Sequence, residues 1–473
     1  MPIRPILFLL RRAACAAAAF VLAGAAHGQK PPPPLRVGDV NSYKAYPAFL
    51  DPYRKGWQLA LEQVNAEGGV LGRKLQVVTR DDGDRAEGAV QAAQQLREQD
   101  GIDIIFGGFR SEPGLALADF AAHNQVFYLA AAPLSDRLVW QEGNRYTYRV
   151  GISSRMLVAA VAPRALGLRK QRWAVVYSDD EDGRGMAATF RSMLEAFQSN
   201  AEFVSDLPVP AGKFDWHAAL QQVRQARPDA IFSALRGVEL SRFAQAGNAM
   251  DLFDERAVVA PLAGMPEYLE PLGADAPAGW IVAGYPWHAI DLPGHRAFAA
   301  AYTQRYGIPP RAGSLLGYTT LMSLAAGLRK ADSATPDALT EAFSGLEVDT
   351  PLGRIRFRKQ DHQSTLGTHI GVTIVQDGVP AMQMAGYQDG ARLQLPDNAV
   401  RRLRAPEPRP PRPEDGETAA PDTQTGAPAA PAADAVRGPA DRGQTDARPP
   451  AQQPRAPVPA DAILQPPARP LAF

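Results

Sequence analysis

The sequence predicts an α/β protein in which two doubly wound lobes each hold a parallel sheet between helices. Short apolar strands alternate with amphipathic helices from residue 35 to about residue 150, and the alternation starts again after Arg149. The chain has 473 residues, of which 45% are hydrophobic, enough for two or three compact units. The formal net charge is zero, so composition indicates neither nucleic acid nor an anionic membrane as a partner.

The first predicted lobe follows this alternation from its first strand. Its first helix is marked by apolar residues at i, i+3, i+4 and i+7, which are Trp57, Ala60, Leu61 and Val64. The strands are 35–40, 75–79, IDIIFGG and VFYLAAA, and the helices are 52–66, 86–98 and 114–124. In NAEGGVLGRKL, two glycines permit the left-handed turn that ends the first helix and returns the chain to the sheet.

The second predicted lobe repeats the pattern with its own strands and helices. The strands are WAVVY, DAIFSAL, AVVA and GWIVAGY. The helix 185–198 carries apolar side chains on one face, namely Met186, Phe190, Met193, Leu194 and Phe197. Two such lobes, with the carboxyl ends of their strands facing each other, enclose a cleft.

The first 28 residues have the pattern of a secretory signal peptide. Early arginines precede an Ala-rich apolar stretch from Ala13 to Ala25, followed by small residues up to Gly28. We predict cleavage after Gly28 and export to the periplasm; a retained N-terminal anchor is the alternative. The only cysteine, Cys15, lies in this segment, so the mature chain is expected to form no disulfide.

Residues 397–473 are predicted to be a disordered tail. Pro, Ala and charged residues dominate there and aromatic residues are almost lacking, so the segment buries too little apolar area to offset chain entropy. The tail is either passive or a spacer or docking segment.

Polar residues gather where the predicted strands end. These positions are Asp81–Asp82, 109–112, 133–135, 178–182 and 236–239. In doubly wound sheets, ligands bind outside the carboxyl ends of the strands. The sequence therefore predicts a ligand site in the cleft between the lobes.

Several segments, in order, resemble the type I periplasmic binding proteins, the class of the leucine/isoleucine/valine-binding proteins of ABC importers. They include YRKGWQLALEQVNAEGGVLGRKLQVVTRDDG, FGGFRSEPGLALADFAAHNQVFYLAAAPLSD, WAVVYSDDEDGRGM, DAIFSALRGVELSRFAQAGNAMDLF and VDTPLGRIRFRKQDHQSTLG. The resemblance covers about residues 35–396.

The resemblance implies two lobes joined by three crossings that close on a small ligand. The crossings are expected near Val150, Gly284 and Thr368. Lobe 1 then comprises 29–150 and 285–368, and lobe 2 comprises 151–284 and 369–396. The implied task is to capture a solute in the periplasm and pass it to a membrane permease, as a monomer. An exported sensor on the same fold is the alternative.

Ligand contacts in lobe 1 follow from the resemblance residue by residue. The loop Arg110-Ser111-Glu112 matches one that binds a ligand carboxylate through a serine hydroxyl and backbone amides, with the helix N-terminus adding to the attraction. A simple helix cap is the alternative for Ser111. Ala132 and Pro133 match a loop that contributes backbone groups.

Lobe 2 departs from the pattern of the amino-acid binders. Asp182 stands where a tyrosine is expected, and Arg236 falls at about the position of a second tyrosine. The acidic residue that grips an α-ammonium would fall near Leu262, and it is missing; Gly264 of the same segment belongs to the predicted site. Glu267 could replace the missing acid only if the loop shifted.

Two arginines and two tyrosines complete the predicted site. Arg110 and Arg236 are either cleft cations for a carboxylate or solvated surface charges. Tyr43 and Tyr285 are either walls for an apolar or aromatic ligand body or packing residues. The predicted ligand is thus a small carboxylate, either amino-acid-like or an aromatic or aliphatic acid.

The sequence indicates binding rather than catalysis. His362 and Ser364 are near each other in QDHQSTLG, but adjacency in sequence is not triad geometry. The histidines show no metal-ligand spacing, and the glycines of FGGFRSEPG fit neither a dinucleotide fingerprint nor a P-loop. We therefore predict neither an enzyme nor a cofactor.

Overall fold

The computed structural model describes residues 32–404, and it has the α/β architecture that the sequence predicts. The predicted signal peptide with Cys15 and residues 405–473 of the predicted tail lie outside the described residues. Two large sheets and one two-stranded hairpin make up the β-structure of residues 32–404. None of the helices in this part of the chain is both long enough and apolar enough to cross a bilayer.

The first sheet is parallel throughout, with strand order β2-β1-β3-β4-β5. Its strands are β1 (Leu35–Asn41), β2 (Leu75–Asp81), β3 (Ile104–Gly107), β4 (Phe127–Ala130) and β5 (Thr147–Arg149). Alternate side chains face opposite sides, so that Ile104 and Phe106 belong to one core and Ile105 to another. The helices joining these strands are α1 (Pro47–Ala66), α2 (Ala86–Glu98) and α3 (Ser111–Asn124).

The second sheet is mixed, with order β14-β13-β10-β9-β8-β6-β7. Its parallel strands are β6 (Arg172–Ser178), β7 (Glu202–Val209), β8 (Ala230–Ala234), β9 (Ala257–Val259) and β10 (Ile281–Gly284). The two remaining strands, β13 (Thr368–Gln376) and β14 (Val379–Gln388), are antiparallel, which differs from the expected all-parallel lobe. Positive φ at Asp377 and Gly378 forms the two-residue turn that joins them, and such a turn permits only antiparallel pairing.

Helices on both faces of the second sheet hold its core. They are α4 (Ser154–Gly167), α5 (Glu181–Phe197), α6 (Trp216–Gln225), α7 (Gly237–Asn248) and the short α8 (Pro266–Leu269). Phe190 of α5 stacks on Phe232 of β8 at a centroid distance of 4.0 Å and meets Trp173 of β6 edge-on at 5.0 Å. This aromatic cluster fixes α5, and with it the first turn of α5 at the cleft.

The chain leaves the first sheet after β5 and reaches the second sheet at β6. After β10 it forms α9 (Pro293–Tyr306), α10 (Ala312–Ala331), α11 (Pro336–Phe343) and a hairpin of β11 (Glu347–Thr350) and β12 (Gly353–Arg356) before entering β13. Helix α10 packs on α1 almost backbone to backbone. A Cβ on Gly313 would lie 2.3 Å from the carbonyl oxygen of Phe49, and one on Gly317 would lie 2.1 Å from that of Tyr53.

Three helices begin earlier than the periodicity predicts. Helix α1 begins at Pro47 instead of residue 52, because proline at the first helical position has the required φ and loses no hydrogen bond there. Helix α5 begins at Glu181 instead of 185, since the Asp180 carboxylate caps it by accepting from the amide of Gly183 at 2.7 Å. Helix α3 begins at Ser111 instead of 114.

The prediction places the start of the tail too early in the chain. After the short α12 (Gly390–Leu393), residues Asp397–Leu403 form helix α13 instead of disordered chain. Val400 is fully buried in a small cluster against Trp140, and Asp397 pairs with Arg358 at 2.8 Å. Averaged composition missed this helix because the much longer Pro/Ala-rich segment after it dominates the average.

Candidate functional site

A cavity lies where the carboxyl ends of strands from both sheets meet. Its empty volume, including the part open to solvent, is about 840 Å³, within the range of small-molecule sites. It is lined by Phe49, Phe109, Ala132, Leu134, Gly151, Ile152, Arg236, Leu262, Met265, Tyr268, Gly284, Tyr285, Ala312, Leu315, Leu316, Leu352, Leu366, Gly367, Thr368 and His369. Most of these residues are apolar, so the cavity suits a ligand with an apolar body.

Aromatic rings form one wall of the cavity. The ring of Phe49 lies 5.1 Å from that of Phe109 and 6.4 Å from that of Tyr268, centroid to centroid. Phe49 and Phe109 belong to the first lobe, and Tyr268 lies on α8 of the second. The hydroxyl of Tyr285 is hydrogen-bonded to Nε2 of His295 at 2.6 Å, so this ring is held in place. A planar ligand ring would find stacking and edge contacts on this wall.

Of the lining residues in the described part of the chain, Arg236 alone is charged at neutral pH. His369 also lines it, but burial lowers the pKa of its imidazole to about 4. Burial disfavours the charge of Arg236, yet the nearby Asp182 and Asp180 carboxylates outweigh this and raise its pKa above the usual value. Arg236 therefore stays a cation under all ordinary conditions.

The guanidinium of Arg236 still has free donors. Its Nη2 donates to Oδ2 of Asp182 at 2.6 Å, and its Cζ lies 5.5 Å from the ring centroid of Phe109. No residue within 32–404 accepts a hydrogen bond from its Nε or Nη1. Either group can donate a hydrogen bond to a ligand carboxylate beside the aromatic wall.

Polar contacts join the two lobes beside the cavity. Three consecutive acids at the start of α5, here called the acidic triplet (180–182), reach across to the first lobe. Asp182 accepts from the hydroxyl of Ser111, and Glu181 accepts from the hydroxyl of Ser135 at 2.7 Å. Asp180 pairs with Arg110 at 3.2 Å. These contacts hold the lobes together in the closed arrangement.

The predicted site residues fall into three groups. Ala132, Arg236 and Tyr285 line the cavity. Arg110, Ser111 and Asp182 belong to the cross-lobe contacts. Ser111 and Asp182 bind each other and Arg110 pairs with Asp180, and none of the three lines the cavity. The other four, Tyr43, Glu112, Pro133 and Gly264, do not line the cavity.

Tyr43 and Glu112 are corrected by the structure. Tyr43 is buried in the first lobe, where its hydroxyl donates to Asp39 at 2.7 Å and accepts from Nε1 of Trp57 at 3.2 Å. Its ring lies under the guanidinium of Arg54, 3.8 Å from Cζ to the centroid. It is therefore a packing residue rather than a wall. Glu112 is exposed in the first turn of α3, where a carboxylate favours the helix dipole.

Pro133 and Gly264 shape the walls without lining them. The carbonyl of Pro133 accepts from Nη1 of Arg149 at 3.2 Å, so it is not available to a ligand. Gly264 forms an isolated bridge with Gly284, and a Cβ on it would lie 2.7 Å from the carbonyl oxygen of Ala283. Glycine is required there because two backbone segments approach closely.

Several lining residues have no signal in the sequence. Tyr268 lies on the four-residue helix α8, and Leu315 and Leu352 come from α10 and from the turn between β11 and β12. Phe109 follows β3 directly, so the strand-end rule identifies its position but not its role. Leu262, where an ammonium-binding acid is missing, is itself a wall of the cavity. Among residues 32–404, no carboxylate lines the cavity.

Glu267 does not replace the missing acid. It is fully buried, and its Oε1 accepts from the amide of Gly313 at 2.6 Å, so it ties α8 to the start of α10. Burial raises the pKa of its carboxyl to about 7, although the hydrogen bond from Gly313 acts in the opposite direction. Within residues 32–404, no group of three or more metal-ligating side chains is placed to hold a metal ion.

Glu267→Gln is expected to reduce the loss of stability that the wild type shows as the pH rises. The folded chain holds a proton on Glu267 up to about pH 7, whereas the unfolded chain releases it near the ordinary glutamate pKa of 4.5. The stabilisation is complete below the unfolded pKa and is lost as the pH rises through the folded pKa, on the order of 1–3 kcal/mol. Urea unfolding at several pH values from about 5 to 8 measures this.

The curve of the variant should be less steep rather than flat. Asp39 also has its pKa raised to about 7 by burial, and it remains in both proteins. Equal slopes in wild type and Glu267→Gln would contradict the assignment.

Two α/β lobes that close on a cavity between the carboxyl ends of their sheets define a bilobed solute-binding protein. The model of the periplasmic binding protein family matches residues 44–393, so the chain belongs to that family. It is a substrate-binding protein of the ABC transporter type.

Relatives and solved structures agree with this assignment. The Leu/Ile/Val-binding protein BraC3 of Rhizobium johnstonii is 25% identical over 312 residues, which cover 66% of this chain and 83% of that protein. A solute-binding protein from Rhodopseudomonas palustris BisB5, in complex with 3,4-dihydroxybenzoic acid, has a TM-score of 0.68 and 21% identity, covering 75% of this chain and 97% of that one. Another from R. palustris, in complex with 4-hydroxybenzoate, has a TM-score of 0.67 and 17% identity, covering 75% and 96%. The two structures share the fold of this chain.

Proposed function

We propose that this protein binds an aromatic monocarboxylate in the periplasm and delivers it to the permease of an ABC importer as a monomer. The observation that carries the proposal is the set of charged groups at the cavity: Arg236 supplies one cation, and no acid of the described chain lines the walls. An α-amino acid brings an ammonium group whose burial needs a carboxylate partner. A benzoate-like acid brings only the carboxylate and a ring.

The position of each group supports this ligand class. A free donor of Arg236, Nε or Nη1, would bind the carboxylate, while Phe49, Phe109 and Tyr268 would contact the ring. Leu262 makes the wall apolar where an amino-acid binder needs an acid. The bound acids in the two R. palustris structures, which share this fold, belong to the same class.

Closure follows from the placement of these groups. Phe49 and Phe109 belong to one lobe, and Arg236 and Tyr268 belong to the other, so only the closed form contacts both ends of the ligand. A ligand that binds the closed form better shifts the population toward it. The permease would then receive the closed, loaded protein.

Titration with 4-hydroxybenzoate, leucine and 4-hydroxybenzyl alcohol tests the ligand class. The protein used is the chain from residue 29 to its end. We expect 4-hydroxybenzoate to raise the melting temperature, because at about 100 times Kd a ligand that binds only the folded form stabilises it by about 2.7 kcal/mol. The uncharged alcohol should bind at least about tenfold more weakly, since it cannot form the charged pair with Arg236.

Leucine should give no shift at the same concentration. Tighter binding of leucine than of any arenecarboxylate would contradict the proposal, because it would require an ammonium partner that the cavity lacks.

A further inference from the structure

Asp182 is the most deeply buried member of the acidic triplet, with 2% of its side chain exposed. Its two oxygens have separate partners in different lobes. Oδ1 accepts from the hydroxyl of Ser111 in the first lobe, and Oδ2 accepts from Nη2 of Arg236 at 2.6 Å in the second. A buried carboxylate needs such partners, so Asp182 is a fixed internal anion beside the cavity.

The hydroxyl of Ser111 has no free proton to donate to an anion. A serine hydroxyl has one proton to donate and two lone pairs to accept with. The proton goes to Asp182, and the oxygen accepts from the amide of Ser135 at 2.8 Å. Only an acceptor site remains, which repels a carboxylate.

The hydrogen-bond donors of Arg236 are also partly used by Asp182. Nη2 is committed to Asp182, and Asp180 lies 3.6 Å from the same nitrogen. Nε and Nη1 face no acceptor among residues 32–404. The internal carboxylate therefore occupies the hydroxyl of Ser111 and Nη2 of Arg236, and it leaves Nε and Nη1 as separate donors for a ligand.

We propose that Asp182 is a specificity-determining residue that excludes a ligand carboxylate from Ser111 and so confines it to the free donors of Arg236. This inference rests on the proposed function, since it assigns the position of the acid group in that cavity. It explains how the cavity can lie next to a serine hydroxyl and yet bind the ligand carboxylate through Arg236 of the other lobe.

Asp182 should determine which ligands bind as well as where the ligand carboxylate lies. With Asp182 in place, the charge of Arg236 is already balanced, so a ligand carboxylate is held by hydrogen bonds from the free donors of the guanidinium and every further negative charge is repelled. A second carboxylate on the ligand would approach Asp182 or Asp180 without a donor of its own. The site should therefore select monocarboxylates over dicarboxylates.

Isothermal titration of 4-hydroxybenzoate into four full-length mature proteins tests the inference. They are the wild type, Ser111→Ala, Asp182→Ala and the double variant. We expect Asp182→Ala to bind at least about fivefold more tightly than wild type, because a like charge is removed and the Ser111 hydroxyl and Nη2 of Arg236 become donors for the ligand. Ser111→Ala should then cost at least about fivefold more affinity in the Asp182→Ala background than in the wild type.

Asp179→Ala is the matched control. It removes a nearby acid that pairs with Arg184 at 2.7 Å and does not contact Ser111, so the added cost of Ser111→Ala should not appear in this background. Urea unfolding of each unliganded variant shows that it is folded before titration.

The outcomes separate the two proposals. Equal costs of Ser111→Ala in the wild-type and Asp182→Ala backgrounds, or loss of binding in Asp182→Ala, would overturn the role of Asp182 while the ligand class stands. Failure of wild type to bind 4-hydroxybenzoate would overturn the ligand class and this inference with it.

Discussion

Arg236→Met is expected to weaken the binding of 4-hydroxybenzoate by about 10- to 150-fold. Hydrogen bonds to a charged group contribute about 1.5–3 kcal/mol, and this variant removes the cation on which the ligand carboxylate depends. Methionine is similar in length and apolar, so the wall next to Phe109 stays filled. Isothermal titration of the mature chain measures the loss.

Arg242→Met is the matched control for this variant. Arg242 is exposed on α7, the same helix that Arg236 precedes, and it does not line the cavity. We expect its affinity to equal that of wild type. A folded Arg236→Met protein that binds the acid as tightly as wild type would remove the basis of the proposed site.

Arg236→Lys separates charge from geometry. The ammonium keeps the positive charge beside Asp182, but it is a compact group that cannot bind Asp182 and hold further donors in fixed directions as the planar guanidinium does. An affinity between those of wild type and Arg236→Met is expected, because a point charge attracts the carboxylate without an oriented hydrogen bond.

The strand-end rule is why much of the site could be predicted from sequence. Ala132, Arg236 and Tyr285 each follow a strand closely, and the carboxyl ends of strands in a doubly wound sheet meet at one edge. Local periodicity is enough to locate those strands, so it is enough to locate the residues after them. The same rule predicts the loop that contains Phe109.

Contacts across the cleft could not be predicted in this way. Ser111 and Asp182 lie 71 residues apart and in different lobes, and each was predicted as a ligand contact on its own. The hydrogen bond from Ser111 to Asp182 depends on the angle at which the lobes close, and no local sequence pattern encodes that angle. Tyr268, Leu315 and Leu352 reach the cavity from helices and a hairpin that lack strand-end signals.

For Tyr43, the predicted position after β1 is correct, but the predicted role as a wall of the cavity is wrong. It follows β1, as the strand-end rule requires, but the buried Asp39 draws its hydroxyl into the first lobe. A buried carboxylate must be hydrogen-bonded, and Tyr43, Asn41 and Thr79 all donate to it. The buried Asp39 requires hydrogen-bond donors, and this requirement therefore determines the orientation of the Tyr43 side chain.

The largest effect on stability is expected at Arg149, at the end of β5. Its side chain is 1% exposed and donates to the carbonyl oxygens of Pro133 at 3.2 Å and Ser135 at 2.6 Å, and to the side-chain oxygen of Gln363. Its backbone also pairs with the 362–364 segment, through His362 and Ser364. One residue thus joins the start of the first crossing, the approach to the third crossing and the loop that holds Ala132 in the cavity wall.

Arg149→Met is expected to lower the free energy of unfolding by about 3–5 kcal/mol, the cost of removing one partner from a buried charged network. The carbonyl oxygens of Pro133 and Ser135 would lose their donor, and the Asp136 carboxylate, 3.9 Å from Nη2, would lose its neighbouring cation. Urea unfolding followed by tryptophan fluorescence measures the change. Arg145→Met, four residues earlier, removes an arginine with 43% of its side chain exposed, and its pair with Asp337 should contribute less than about 1 kcal/mol. Similar losses in the two variants would mean that the buried network adds nothing beyond a surface ion pair, and that the 133–135 loop is held by its packing alone.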